Sequence, residues 1–391
     1  MIAKRPAASK MIGTSSTRVW NSVPYVRGGQ KSHRLRRDRV TWRRSLQELV
    51  GSTEAQVTRM LRADKMLPDL KGQVCPECKH GTLGPLRYVA CRGAMCHRCG
   101  AKKCQRYILP HHKHPIFKTG WGQGRSSLKE QSVVLLCALA GSSITTTHLL
   151  TKKNDKMIRG IYQRLDQCRR KAVERDEKKI KFGASVEWND VEADEVDLGK
   201  EDTGTLNTPA SKPVVKWEQW GGVVERGFPN TLLLTRLHPK TTKRRAPGPG
   251  PITKTDWKPV ADRYLKGRKV ILHTDGAKSY RLKTSPVKGI LHDWVVHKKK
   301  KVTIRGRTAW IRPKYVVLFE HQLPDGKTIR TKGGTQIIDR AWGVLRSHIG
   351  SRSGKVSSTS ITARIRSAQW CYWNRGEDLW LATGQMLHSF R

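Results

Sequence analysis

The sequence predicts a mixed α/β protein, with a sheet and flanking helices in its second half and a helical, cysteine-bearing first half. Three observations lead there. From Trp42 to Leu67, and again from residue 126 to 180, apolar side chains recur at three- and four-residue spacings, the period of a helix. Beyond Phe182 the pattern becomes that of strands, in ASVEWNDVEADEVDL, VVKWEQWGGVVER, TLLLTRL and KVILHTD. Between the two helical stretches lie the paired cysteines of CPEC and CHRC.

Taken in order, residues 1–45 carry twelve Lys/Arg with little apolar periodicity and read as a flexible basic arm, with RLRR at 34–37 a weak nuclear-import signal. Removing that arm is expected to weaken charge-driven binding and leave any chemistry intact. A helical segment follows at 46–70. In 72–104, Cys75 and Cys78 are followed after seventeen residues by Cys96 and Cys99, a spacing that lets four thiolates surround one structural Zn²⁺ as a zinc ribbon. Cys91, His97 and Cys104 stand close enough in sequence to substitute as ligands. Residues 122–180 have the length and turn chemistry of a helix-turn-helix, with Lys156, Arg159, Arg164, Arg169 and Arg170 as its DNA-facing side chains; an ordinary basic helical hairpin fits as well. The sheet domain is expected over 185–350, with a Pro/Gly-rich loop at 238–254, a helix at 335–348 and a helical extension at 351–391.

Composition narrows the function. The chain has 391 residues, 77 Lys+Arg against 31 Asp+Glu, and a formal charge of +46. Such a chain suits a polyanion, and double-stranded DNA is the partner expected. No run of 18 apolar residues offers a membrane span, and the basic N-terminal residues do not read as a secretory signal. The expected location is the nucleus in a eukaryote, or the cytoplasm and nucleoid in a bacterium. Against this background, eight acids crowd into residues 187–202: Glu187, Asp190, Glu192, Asp194, Glu195, Asp197, Glu201 and Asp202. Asp275 ends the strand KVILHTD, and Asp339 lies on the amphipathic TQIIDRAWGVLRSH. An acid in a first strand, one ending a later strand and one on a helix are what an RNase H-like catalytic domain brings together. There they hold two divalent cations, Mg²⁺ or Mn²⁺, about 3.5–4 Å apart for phosphodiester chemistry.

Six stretches in order along the chain also resemble one family. VEADEVDLGK (191–200), WGGVVER (220–226), HTDGAKSY (273–280), HDWVVH (292–297), TQIIDRAWGVLR (335–346) and WCYWNR (370–375) are similar to motifs of the DDE transposases of the Merlin superfamily and their bacterial insertion-sequence relatives, the ISXO2-like transposases. The resemblance covers roughly residues 70–380. It implies a Mg²⁺-dependent transposase, a polynucleotidyl transferase that cuts transposon ends and joins them to target DNA, working as a homo-oligomer on DNA. It places the catalytic acids on Asp194, Asp275 and Asp339. His292 and His297 would position substrate, or equally serve as structural histidines, and Lys298, Lys299, Lys300 and Lys301 would follow phosphates or form a solvated charge run. The chain departs from the family in carrying Asp339 where Glu is usual, Gly334 where His is usual, and Val296 in place of Asn. A catalytically inactive or domesticated DNA-binding descendant is therefore the alternative.

Overall fold

The computed structural model describes residues 10–11, 17–28, 40–120, 126–185, 187–281, 290–297, 299–304, 307–350, 356 and 358–390. The first part of the chain forms β1 (Lys10–Met11), α1 (Thr17–Ser22), α2 (Leu46–Gly51), α3 (Glu54–Ala63), β2 (Arg87–Val89), β3 (Ala94–Arg98), β4 (Tyr107–Ile108), α4 (Leu128–Ala140), α5 (Ile144–Thr151) and α6 (Asp155–Asp176). Then come β5 (Asn189–Asp202), β6 (Val215–Glu225), β7 (Leu233–Arg236), β8 (Thr241–Thr242), α7 (Lys254–Tyr264), β9 (Val270–Asp275) and β10 (Ile290–Val295). The chain closes with β11 (Lys300–Ile304), β12 (Arg307–Ile311), β13 (Val317–Gln322), β14 (Thr328–Gly333), α8 (Gln336–Ile349), α9 (Thr359–Trp373) and α10 (Leu379–His388). These elements fall into two compact units, Met1–His33 with Glu174–Trp373, and Arg34–Val173 with Asn374–Arg391. No described helix is long and apolar enough to cross a membrane.

The second unit is built on α4. Its Leu128, Val134, Leu135 and Leu139 are buried, and both ends are fixed locally. Ser127 and Glu130 form a reciprocal capping box, Glu54 of α3 accepts from the Leu128 and Lys129 amides, and Gly141 ends the helix in the left-handed conformation. Buried Asp64, just past α3, accepts from Arg44 (2.7 Å) and from the Trp380 indole of α10 (2.8 Å). In the cysteine-bearing segment β2, β3 and β4 form a three-stranded sheet, with Cys75 and Cys78 before β2 and Cys99 and Cys104 between β3 and β4.

In the first unit a mixed sheet runs in the order β10–β9–β5–β6–β7, with β8 also on β6. β5, β6 and β7 are antiparallel neighbours, while β9 and β10 continue the sheet parallel to β5. Side chains alternate across a strand, so β5 serves both faces. Val191 and Ala193 pack with Trp257 and Val260 of α7, whereas Val196 and Leu198 pack with Trp342 and Leu345 of α8 and Ile361 and Ile365 of α9. Helices thus flank the sheet on both sides. The hairpin β13–β14 takes β1 as a third strand, and β11–β12 pair only with each other.

The expected strands correspond to β5, β6, β7 and β9, and the expected helix to α8. β10 to β14 were not anticipated. The extension expected at 351–391 is divided: α9 joins the core of the sheet unit and α10 belongs to the other unit. Part of the expected arm is also tied down, because Tyr25 and Arg27 are bonded into the sheet unit.

Candidate functional site

The register of the sheet sets two of the three predicted acids side by side. β5 and β9 pair in parallel from Asn189↔Val270 to Glu192↔His273; two residues further along, the same register puts Asp194 beside Asp275. Paired residues share a face, and here it is the face covered by α8, whose first turn bears Asp339. The Trp342 indole, one turn beyond Asp339, donates to Asp194 Oδ2 at 2.9 Å. Trp342 can lie this close to the sheet because Asp194's partner across β6 is Gly222: a Cβ there would come within 2.2 Å of the ring. Asp275 Oδ1 accepts the Ala277 amide at 2.9 Å, and Thr335 donates to Asp339 Oδ2 at 3.2 Å.

The three carboxylates feel one another. Burial first, then the charges of Glu195, Asp339 and Asp275, push the Asp194 carboxyl well above the usual range, against the opposing Trp342 bond. Asp339 is raised as well, chiefly by lost solvent, with Thr335 and His297 pulling the other way and Glu192 and Asp275 adding to the rise. The only groups of three or more metal-binding side chains whose ligand atoms all lie within 4.8 Å of one another, among the described residues, are cysteines, so the three Asp are spread wider than a single-ion cage. Oxygen donors with no cationic side chain hydrogen-bonded to them among the described residues, crowded by like charge, fit hard divalent cations, and two ions would accommodate the wider spread. His292 hydrogen-bonds Thr274 at 2.9 Å and is kept neutral by burial, its pKa lowered to about 4. Glu195 faces away, accepting the Tyr280 hydroxyl and the Ile252 amide.

The sequence reading treated the acid island as a block and missed what its other members do. Glu192, fully buried, accepts the Ile337 and Ile338 amides at 2.8 and 2.9 Å, so it caps α8 where Thr335 gives no side-chain cap. Arg226 pairs with Glu192 at 2.7 Å and donates to the Lys332 and Gly334 carbonyls just before that helix. The Tyr25 ring lies 3.9 Å under the Arg226 guanidinium, and its hydroxyl donates to Glu192 and accepts the Gln336 amide. Alongside, Arg27 grips Asp190 with two bonds of 2.6 and 2.8 Å. His273 bridges Asp190 (2.9 Å) and Asp293 (2.8 Å), and His321 meets the far side of Asp293 at 3.0 Å. Burial and Arg226 oppose a charge on His273, yet the two carboxylates its ring nitrogens face raise its pKa. The signal available was spacing: residues 190, 192 and 194 alternate onto one strand face.

The metal-type cluster of the second unit differs from the predicted set by one residue. Cys75, Cys78, Cys99 and Cys104 have all four sulfurs within 4.8 Å, with Cys75–Cys104 at 4.0 Å and Cys78–Cys99 at 3.7 Å. Tetrahedral Zn–S bonds of about 2.3 Å need sulfurs roughly 3.8 Å apart, so the four fit zinc. Amides of His80 and Gly81 draw Cys78 down to about 6; Cys99 is pushed up to about 12 by burial and neighbouring thiols despite the Ala101 amide, so a cation is what would let all four ionise. Cys96 is not a member. It lies inside extended β3, about 10 Å of strand from Cys99, whereas the knuckle needs a turn, and the turn is Gly100–Cys104. The second half of the site is therefore CGAKKC rather than CHRC. Cys91 is exposed and His97 Nδ1 donates to the Gly84 carbonyl at 2.8 Å; neither joins.

The basic residues divide. On α6, Arg159 is half exposed and paired with Asp155, but Arg164 turns inward to donate to the Ile116 carbonyl at 2.6 Å, and Arg169 is buried. Arg164 thus packs its own unit rather than offering a face to DNA. Lys298 lies outside the described residues; Lys299 and Lys301 are exposed, and Lys300 is the first residue of β11.

Comparison with known proteins adds little. No family model matches the chain, and no curated protein matches it. A chain of the crystal structure of the Mos1 strand transfer complex aligns with 10% identity over 45% of this chain, at a TM-score of 0.13. The alignment spans 59% of that chain's length, and at this score no argument rests on it.

Proposed function

We propose that the chain is a DNA transposase whose first unit is an RNase H-like catalytic domain with Asp194, Asp275 and Asp339 as its acids. The observation that carries the reading is their convergence: two adjacent strands and a helix start bring three mutually repelling carboxylates to one face of a chain that is otherwise strongly basic. Bound there, two Mg²⁺ or Mn²⁺ would activate the attacking oxygen and stabilise the leaving one in strand cleavage and transfer. Asp194 would serve as the shared ligand, held by the Trp342 indole; Thr335 orients Asp339, and Glu192 fixes the helix that carries it. His297, beside Asp339, would position the phosphate, whereas His292, register partner of Leu272, lies on the opposite face of the sheet and is structural. The cysteine centre is a structural zinc module, and the basic surface holds DNA through its backbone, as a homo-oligomer at transposon ends.

A second reading, a non-catalytic DNA-binding descendant, rests on Asp339. It is one methylene shorter than the Glu of the family it resembles, and a displacement near 1 Å can cost on the order of a hundredfold in rate. DNA carrying the ends that flank the coding region, incubated with Mg²⁺ or Mn²⁺, tests the two. Nicking that Asp339→Glu changes and Asp275→Ala removes supports the enzyme; binding without nicking by any form supports the alternative.

A further inference from the structure

Between β10 and β13 the chain makes an excursion over residues 296–315 that the acid site does not explain. Its root is clamped at that site from both sides. β10 ends on Val295, the register partner of Asp275. Val296 then lies against Gly276, where a Cβ would come within 2.8 Å of it. On the return, the Tyr315 carbonyl lies against Gly334, where a Cβ would stand 2.6 Å away, and α8 with Asp339 begins two residues later. The His297 and Tyr315 rings close the root at 5.2 Å between centroids. From there β11 and β12 run as a two-stranded ribbon joined to no other sheet among the described residues, each strand about 17 Å long.

This ribbon displays what a folded protein ordinarily hides. Trp310 is 63% exposed and Ile311 52%. Trp310 pairs across the ribbon with Lys301, near its root, so the two side chains share a face. Residues 298–314 hold eight Lys/Arg and no acid. An apolar partner would leave those charges without a match, and an acidic protein surface would match the charges but not the exposed ring, whereas a nucleic-acid strand offers phosphates for the charges and a base face for the indole. In a paired duplex both faces of a base are already stacked. An indole can take one only where a strand is frayed, overhanging or has a base turned out.

We propose that the ribbon holds an unpaired nucleotide of a DNA strand at the mouth of the acid site, the base stacked on Trp310 and the neighbouring phosphate on Lys301. This deepens the transposase reading and rests on it: a strand end freed beside Asp194, Asp275 and Asp339 must be kept in place before it can react.

The test is equilibrium binding by the full-length protein in EDTA, so that no chemistry intervenes. Two duplex probes with equal numbers of phosphates are compared, one blunt and one with four unpaired nucleotides at its 3′ end, the latter carrying 2-aminopurine. The parent is expected to favour the overhang and quench the 2-aminopurine. Trp310→Ala should lose about tenfold on the overhang, little on the blunt probe, and the quench with it; Trp310→Phe should keep most of both. Lys301→Ala should weaken both probes and lower the log–log salt slope by about one. Equal losses on the two probes for Trp310→Ala, or an unchanged quench, would overturn the ribbon assignment while leaving the transposase reading standing. Failure of the parent to bind either probe would overturn both.

Discussion

Asp194 sits half-buried beside Glu195, with Asp275 and Asp339 near enough to repel it, and the Trp342 indole donates to it at 2.9 Å. An acid whose folded-state pKa is raised binds its proton more tightly folded than unfolded. It therefore lowers stability as pH rises above the ordinary carboxyl range, and the penalty is relieved as pH falls through the raised value. Asp194→Asn should accordingly melt above the parent at neutral pH in EDTA, by a few degrees. Mn²⁺ should raise the melting temperature of the parent and not of the variant, and its effect on the parent should fade as the pH is lowered and protons compete. A variant no more stable than the parent in EDTA would mean that the acids are not crowded as described. The cysteines yield a second check at this scale. Purified protein should contain about one Zn²⁺ per chain, lost in Cys104→Ser with local unfolding and retained in Cys96→Ser. Zinc lost from the second variant but not the first would restore the CHRC knuckle.

At the scale of elements, the part of the account least visible in the sequence is how α8 is held. Its amphipathic pattern, Ile338, Ala341, Trp342 and Leu345, was plain, and the helix lies where that pattern put it. Nothing local says that Glu192, some 145 residues earlier, would cap it. Nor could periodicity show that Tyr25 would reach across 167 residues to the same carboxylate, because such bonds depend on tertiary approach. The cysteine pairing was misread for a related reason: CHRC has the right spacing, but β3 keeps it extended, and strand or turn is decided by pairing with Arg87–Val89. The bonds of Tyr25 to Glu192 and the Gln336 amide weigh against the expectation that the N-terminal arm can be removed without harm to chemistry. Tyr25→Phe keeps the ring under Arg226 but leaves Glu192 and the Gln336 amide short of a partner, a loss of about 1–3 kcal/mol. Nicking by that variant should fall while DNA affinity holds, and Tyr25→Ala should be worse on both nicking and melting temperature. Arg226→Leu, which leaves Glu192 charged and buried, should cost about 3–5 kcal/mol. Full nicking by a chain lacking residues 1–28 would remove the arm from the site.

For the whole molecule the division of charge is the central fact. A chain of +46 confines eight of its 31 acids to sixteen residues, and the fold uses them unequally. Asp190 and Glu192 are neutralised by Arg27 and Arg226, Glu195 is turned to the opposite face, and Asp202 pairs with Arg244 at the far end of β5. Asp194 is left facing Asp275 and Asp339 with no cationic partner among the described residues. DNA affinity should fall steeply with salt, since many counterions are released on binding, and substitutions at the three acids should not reduce it. The most direct measurement of the account sets nicking against binding for Asp194→Ala, on DNA carrying the element's own ends, in Mg²⁺ and in Mn²⁺. The predicted result is nicking reduced to background with binding at least as tight as the parent's. Nicking equal to the parent's, with either ion, would contradict the assignment of this site and leave a protein that binds DNA without cutting it.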